Sequence, residues 1–259
     1  MMREPDARGL GWRPDTPDHR DHRFTASRIG SALPTTADLR NLFAPVYDQL
    51  KISSCVFNSI NAVVQYNFRR EKLSDFLPSR LFSYYNTRVI EGTVESDAGA
   101  EIRDGIKSVI DTGVCSEDAW PYKPANLFIK PNAKCYANAR HRLITKYQRV
   151  DQTLDGIRSC LAGGDPVIFG FSVYEFFDSA EMADTGILQM PGQDRMAGGH
   201  AVVLCGYNDA TQLFLVRNSW GADWGLPTAR GHFRMPYEYV MNPDLSSDFW
   251  TIQSITTNP

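Results

Sequence analysis

The 259-residue chain has no C-x-x-C pair, no apolar run near eighteen residues and no strong charge of either sign. Without paired cysteines at metal spacing, a zinc ribbon or a thioredoxin-type redox motif has no support. Without a long apolar run there is no transmembrane helix to expect. A formal net charge of -3 gives no general reason to expect nucleic acid or an anionic membrane as partner. The first thirty residues hold six Arg against five Asp or Glu, with three Pro and no apolar run longer than two residues, so no secretory leader is written there. The expected location is the cytoplasm, or outside the cell if an upstream leader has been removed.

Five cysteines, at positions 55, 115, 135, 160 and 205, make an odd set, so at least one thiol stays unpaired. Cys160 and Cys205 lie in apolar runs and read as core thiols. Cys115 and Cys135 flank a loop-rich stretch and could pair, although spacing alone does not fix connectivity.

What is present is a change of grammar along the chain. Residues 1 to 36 combine Pro, Gly and mixed charge and read as an extended arm, with Trp12 and Phe24 as its only anchors. From Cys55, "CVFNSINAVVQYNFRREKL" places Val56, Ile60, Val63 and Val64 at helical spacing, with Ser53 and Ser54 as candidate caps. "PSRLFSYYNTRVIEG" and "AEIRDGIKSVIDTGV" read as two more helices, the second closed by Gly113. Beyond "WPY", the runs "LITKYQRV", "DPVIFGFSV", "GHAVVLCGY", "QLFLVRNSW" and "GHFRMP" are β-branched or aromatic and separated by turn residues. One helix, around "TLDGIRSCLAGG", interrupts them. The pattern predicts an α+β chain, helical from 37 to 138 and sheet-rich from 139 to 259, with chemistry in the cleft between the two.

The reactive candidates follow from what a thiol needs. It attacks a carbonyl only as thiolate, so its pKa must be lowered by a cation or by a helix N-terminus, and Cys55 stands at the second. Among five histidines, His19, His22, His141 and His232 read as surface or structural. His200 follows two glycines and begins a strand, which gives close backbone approach and a rigid mount, though alone it reads as well as a structural histidine. Asn218, in "VRNSWGADWG", offers a neutral amide to hold an imidazole without adding charge, and Trp220 and Trp224 offer to shield that bond from water. Gln49 offers an amide N–H beside the Cys55 backbone N–H, as an oxyanion requires.

Taken together, "PVYDQ" followed by "QLKISSCVF", then "GGHAV", "VRNSWGADWG" and "GHFRM", with "ADLR" at 37 to 40, resemble the papain-like cysteine peptidases. Cys55 precedes His200 by 145 residues, within the family's roughly 130–150, and Asn218 by 163, a little beyond it. The resemblance implies a two-lobed fold, helical plus β-barrel-like, and hydrolysis of peptide bonds through a thioester. Cys55 would be the nucleophile, His200 the base and then acid, Asn218 the orienter and Gln49 the oxyanion donor. Gly99, in "SDAGAE", with Gly199 and Trp220, would touch substrate. The implied partners are polypeptide substrates and proteinaceous inhibitors, the implied state a monomer, and no metal or organic cofactor is called for.

Three residues depart from the family pattern: Leu50 where glycine is usual, Ile52 where a disulfide cysteine is usual, and Val56 in place of an aromatic residue. They keep open an acyltransferase or amidase, and a catalytically impaired binding protein. Only some 36 residues precede "ADLR", where the family carries a pro-domain of about a hundred. This short arm is expected either to lie over the cleft as a lid or to be a strap remote from it.

Overall fold

The structure, a computed structural model, describes residues 8–25 and 32–256. The helix carrying Cys55 is its centre. α1 (Cys55–Arg70) has fourteen of its sixteen residues buried, so the stripe of four apolar residues understates it. A helix covered all round needs its polar side chains satisfied internally. Asn58 donates to the Ser54 carbonyl at 2.9 Å and Asn67 to the Ile252 carbonyl at 2.8 Å.

α2 (Arg80–Glu91) and α3 (Ile102–Thr112) pack beside it. The Ser79 hydroxyl caps α2 by accepting from the Phe82 N–H, and Gly92 ends it in the left-handed conformation. A short α4 (Ala133–Ala139) follows. The caps expected for α1 are not made as expected. Ser54 occupies the N-cap position, but its hydroxyl bonds to Tyr122 Oη at 2.6 Å and accepts from the Asn58 amide at 3.0 Å, leaving no side-chain cap.

The second half is one antiparallel sheet. Its strands are β2 (Leu143–Arg149), β3 (Val167–Tyr174), β4 (Met196–Asn208), β5 (Leu213–Arg217), β6 (His232–Pro236) and β7 (Ser246–Thr256), with α5 (Leu154–Ala162) between β2 and β3. The order is β2-β7-β3-β4-β5-β6, and β1 (Thr36–Asp38) adds to β4. That order stays open between β2 and β6, which corrects the barrel-like lobe to an open sheet. Two clusters fill the interior: α1 to α3 pack with one set of sheet residues, and α5 packs with another that includes Phe169, Phe171, Val202 and Leu204. All five cysteines are buried free thiols. Cys115 and Cys135 are therefore unpaired here, and Cys135 Sγ donates to the Ala119 carbonyl at 3.3 Å.

Candidate active site

α1 meets the sheet at β4. The Ser59 hydroxyl donates to the Ala201 carbonyl at 3.0 Å, one turn along from Cys55 and one residue from His200, so the helix start and the histidine share one seam. His200 Nε2 lies 2.8 Å from Asn218 Oδ1. Both residues are buried. The imidazole sits among rings, 5.3 Å from Trp220, 5.8 Å from Phe171 and 6.0 Å from Phe177, centroid to centroid. Trp224 lies against Trp220 at 5.3 Å. His200 Nδ1 has no hydrogen-bond partner.

Gln49 reaches the same place through a clasp between segments far apart in sequence. Its N–H donates to the Ser219 carbonyl at 2.9 Å, and the Gly221 N–H donates to the Tyr47 carbonyl at 2.9 Å. The Ser219 hydroxyl donates to Gln49 Oε1 at 2.6 Å, which fixes the amide so that Nε2 faces away from Ser219. Tyr122 Oη donates to the Gln49 carbonyl at 2.8 Å. Neither Ser219 nor Tyr122 was legible as a site residue. "NSW" and "WPY" mark them as turn neighbours, and only the fold brings their hydroxyls to Gln49.

The cleft is filled by the arm. Gln49 Nε2 donates to the Gly9 carbonyl at 2.7 Å as well as to the Ile52 carbonyl at 2.9 Å. The Trp12 N–H donates to the Gly199 carbonyl at 3.1 Å, Ala100 N–H to the Gly11 carbonyl at 2.8 Å, and Arg13 N–H to the Ala100 carbonyl at 3.1 Å. The arm is thus a strand bridging both walls. Gly9 and Gly11 let it pass: a methyl on Gly11 would lie 2.0 Å from the Ser53 carbonyl oxygen. Arg8 pairs with Asp48 at 3.1 Å and lies over the Trp220 ring at 5.8 Å.

Of the expected substrate-binding residues, Gly199 and Trp220 touch the arm. Gly99 behaves differently from expectation. Its N–H is taken by Tyr84 Oη at 2.9 Å, and its neighbour Ala100 makes the strand bonds. What Gly99 contributes is proximity, because a methyl there would lie 2.0 Å from the Gly11 carbonyl oxygen. Leu50 adopts φ 54°, a left-handed conformation open to glycine at no cost, and its side chain is exposed.

The electrostatics correct one expectation. A helix N-terminus should lower the Cys55 pKa, yet burial pushes the thiol up to about 11, against the opposing pull of the Ala201, Gly11, Val56 and Cys55 N–H groups. Burial also pushes His200 down to about 4, with the Asn218 hydrogen bond opposing. With the arm in place, burial disfavours the charged form of both groups.

This chain belongs to the papain family of cysteine proteases, whose family model matches residues 33–247. It is a peptidase hydrolase of papain-like α+β fold. Its structure is similar to that of xylellain, a cysteine protease from Xylella fastidiosa, at TM-score 0.89 and 40% identity, covering 98% of this chain and 99% of the other. It is 36% identical over 277 residues to an uncharacterized peptidase C1-like protein of Acanthamoeba polyphaga mimivirus, covering 96% of this chain and 88% of that one. A digestive procathepsin L2 of Tenebrio molitor larval midgut shares the fold at TM-score 0.72 and 19% identity, over 96% of this chain and 79% of the other.

Proposed function

We propose that the protein is a cysteine endopeptidase held latent by its own arm. Cys55 attacks the scissile carbonyl and forms a thioester. His200 carries the proton from the thiol to the leaving amine and then activates water. Asn218 holds the imidazole through Nε2, leaving Nδ1 to exchange the proton. Gln49 Nε2 and the Cys55 N–H receive the developing oxyanion. Residues 37–138 act as the lobe that carries the nucleophile, and 139–259 as the lobe that carries His200 and Asn218. Polypeptides are the substrates.

The observation that carries this reading is the 2.8 Å contact of His200 Nε2 with Asn218 while Nδ1 is left without a partner. His232 also leaves one nitrogen without a partner, but its other nitrogen meets only the Arg230 backbone carbonyl, whereas His200 is held by a side-chain amide. The arm supports latency because it occupies the Gln49 amide with the Gly9 carbonyl and bonds to both Ala100 and Gly199 across the cleft.

Titration with an epoxide-type thiol inhibitor tests the assignment. In the chain lacking residues 1 to 30, one equivalent should label Cys55, and Cys55→Ala in that background should lose peptide hydrolysis. An unlabelled Cys55 together with equal activity of the variant and the parent on denatured protein would overturn it. Removing residues 1 to 30 tests the latency, and unchanged hydrolysis with an unchanged inhibitor on-rate would rule out a lid.

A further inference from the structure

The arm also reports the shape of the cleft it fills. Its backbone bonds to Ala100 on one wall and Gly199 on the other, so the Trp12 side chain enters the space that a bound polypeptide would offer to one of its own. The indole rests on two residues with no side chain. A methyl on the Gly170 α-carbon would lie 1.9 Å from Trp12 Cε2, and one on Gly199 would lie 2.8 Å from Trp12 Cε3. Contacts this short cannot be relieved by a rotamer change, because both glycines sit in paired strands, β3 and β4, in the register Gly170 to Ala201 and Ser172 to Gly199. The hole is therefore indole-deep only while position 170 lacks a side chain.

The pocket is also apolar. Trp12 is 9% exposed, yet its indole N–H has no acceptor. It belongs to the apolar cluster that contains Ala100, Ile168 and Ala201. A buried donor without a partner costs free energy, so the bicyclic carbon frame, and not the N–H, is what the pocket fits.

We propose, building on the peptidase reading, that Gly170 is a specificity-determining residue that opens this pocket to a bicyclic aromatic side chain, so that the enzyme selects polypeptides with tryptophan near the scissile bond. Phenylalanine fills the pocket only in part, and smaller residues leave it a void. Filling the pocket from alanine to a bicyclic ring is expected to raise kcat/KM by about a hundredfold in all.

The full-length parent and full-length Trp12→Ala are assayed on quenched peptides identical except at one position. That position is scanned on both sides of the scissile bond with naphthylalanine, tryptophan, phenylalanine and alanine. At one position kcat/KM should follow that order, with naphthylalanine at least equal to tryptophan and about a hundredfold between the ends of the series. Gly170→Ala should compress the series at that position by at least about tenfold and leave the order at other positions alone, after normalisation to titrated Cys55. A flat series, or alanine or phenylalanine above tryptophan at every position, overturns the pocket assignment. The series on the parent and Trp12→Ala chains decides the matter should Gly170→Ala fail to fold. Cleavage of these peptides without the preference refutes the pocket alone, whereas absence of both cleavage and a titratable Cys55 in Trp12→Ala refutes the peptidase reading beneath it.

Discussion

At the scale of single residues, burial acts on Cys55 against the backbone N–H groups around it, the arm's Gly11 among them, and burial wins. A thiol at the unshifted pKa of 9.0 is about one per cent thiolate at pH 7, whereas one near 11 is about a hundredfold less so. Opening the arm should recover that factor. Alkylation of Cys55 by iodoacetamide at pH 7 is therefore expected to be roughly a hundredfold faster in Trp12→Ala than in the parent, with the two rates converging as pH approaches 11. Equal rates at pH 7 would show that the arm does not set the thiol's state. Ser219 offers a second residue-scale prediction. Its hydroxyl fixes which end of the Gln49 amide faces the cleft, so Ser219→Ala frees the amide to flip and present its oxygen. Removing an oxyanion donor costs about 10²–10³ in kcat, and partial misorientation should cost about tenfold with KM nearly unchanged. A change confined to KM would place Ser219 outside the positioning of Gln49.

At the scale of elements, the helices from 55 to 112 were legible because each has an apolar face at helical spacing and a recognisable end, such as Gly113 at φ 74°. The five strands were legible from β-branched runs between turn residues. β7 was not, because "SSDFWTIQSIT" keeps no period-two alternation and is broken by the positive-φ residue Asp248 with no glycine to announce it. β1 was missed because three residues hold no period. The four reacting groups were legible from residue type and order, while Tyr122, Ser219 and Ala100 were not, because their roles arise from contacts between distant segments. The turn entering α1 also shows what a single departure from pattern costs. Leu50 at φ 54° pays about 1 kcal/mol for a left-handed backbone. Its exposed side chain returns little of that. Leu50→Gly should therefore stabilise the chain by up to about 1 kcal/mol, less the added freedom of the unfolded glycine, as read from the urea midpoint at constant m-value. A lower midpoint would mean that Leu50 packs on something that offsets its strain.

At the scale of the whole molecule, the arm ties the helices to the sheet, and its tether is ionic. Asp15 accepts from Trp250 Nε1 at 2.7 Å and from the Arg103 N–H at 3.1 Å, while its own N–H donates to Asp248 at 2.7 Å. Arg103 pairs with Asp21 at 2.7 Å, and Arg149 bridges Asp248 at 3.0 Å and Asp21 at 3.3 Å. Three carboxylates thus share two guanidinium groups. Burial, aided by the like charge of Asp248, raises the Asp15 pKa from 3.8 to about 7. Because the docked pKa exceeds the free one, docking takes up a proton. The contribution of Asp15 to closure is full below about pH 4 and is lost as pH rises through 7. His200 works the other way, since its lowered pKa weakens the closed state as pH falls from 6.5 towards 4. The two oppose each other in acid, so only the interval from pH 6.5 to 8 isolates Asp15. There, amide exchange at Trp12 and Arg13, corrected for intrinsic rates, should lose protection by about fourfold. The fall should be smaller in Asp248→Asn, where no like charge opposes ionisation. Protection that stays constant across that interval in the parent chain would mean that Asp15 is already ionised when docked, and that the tether owes its strength to Arg103 and Arg149 alone.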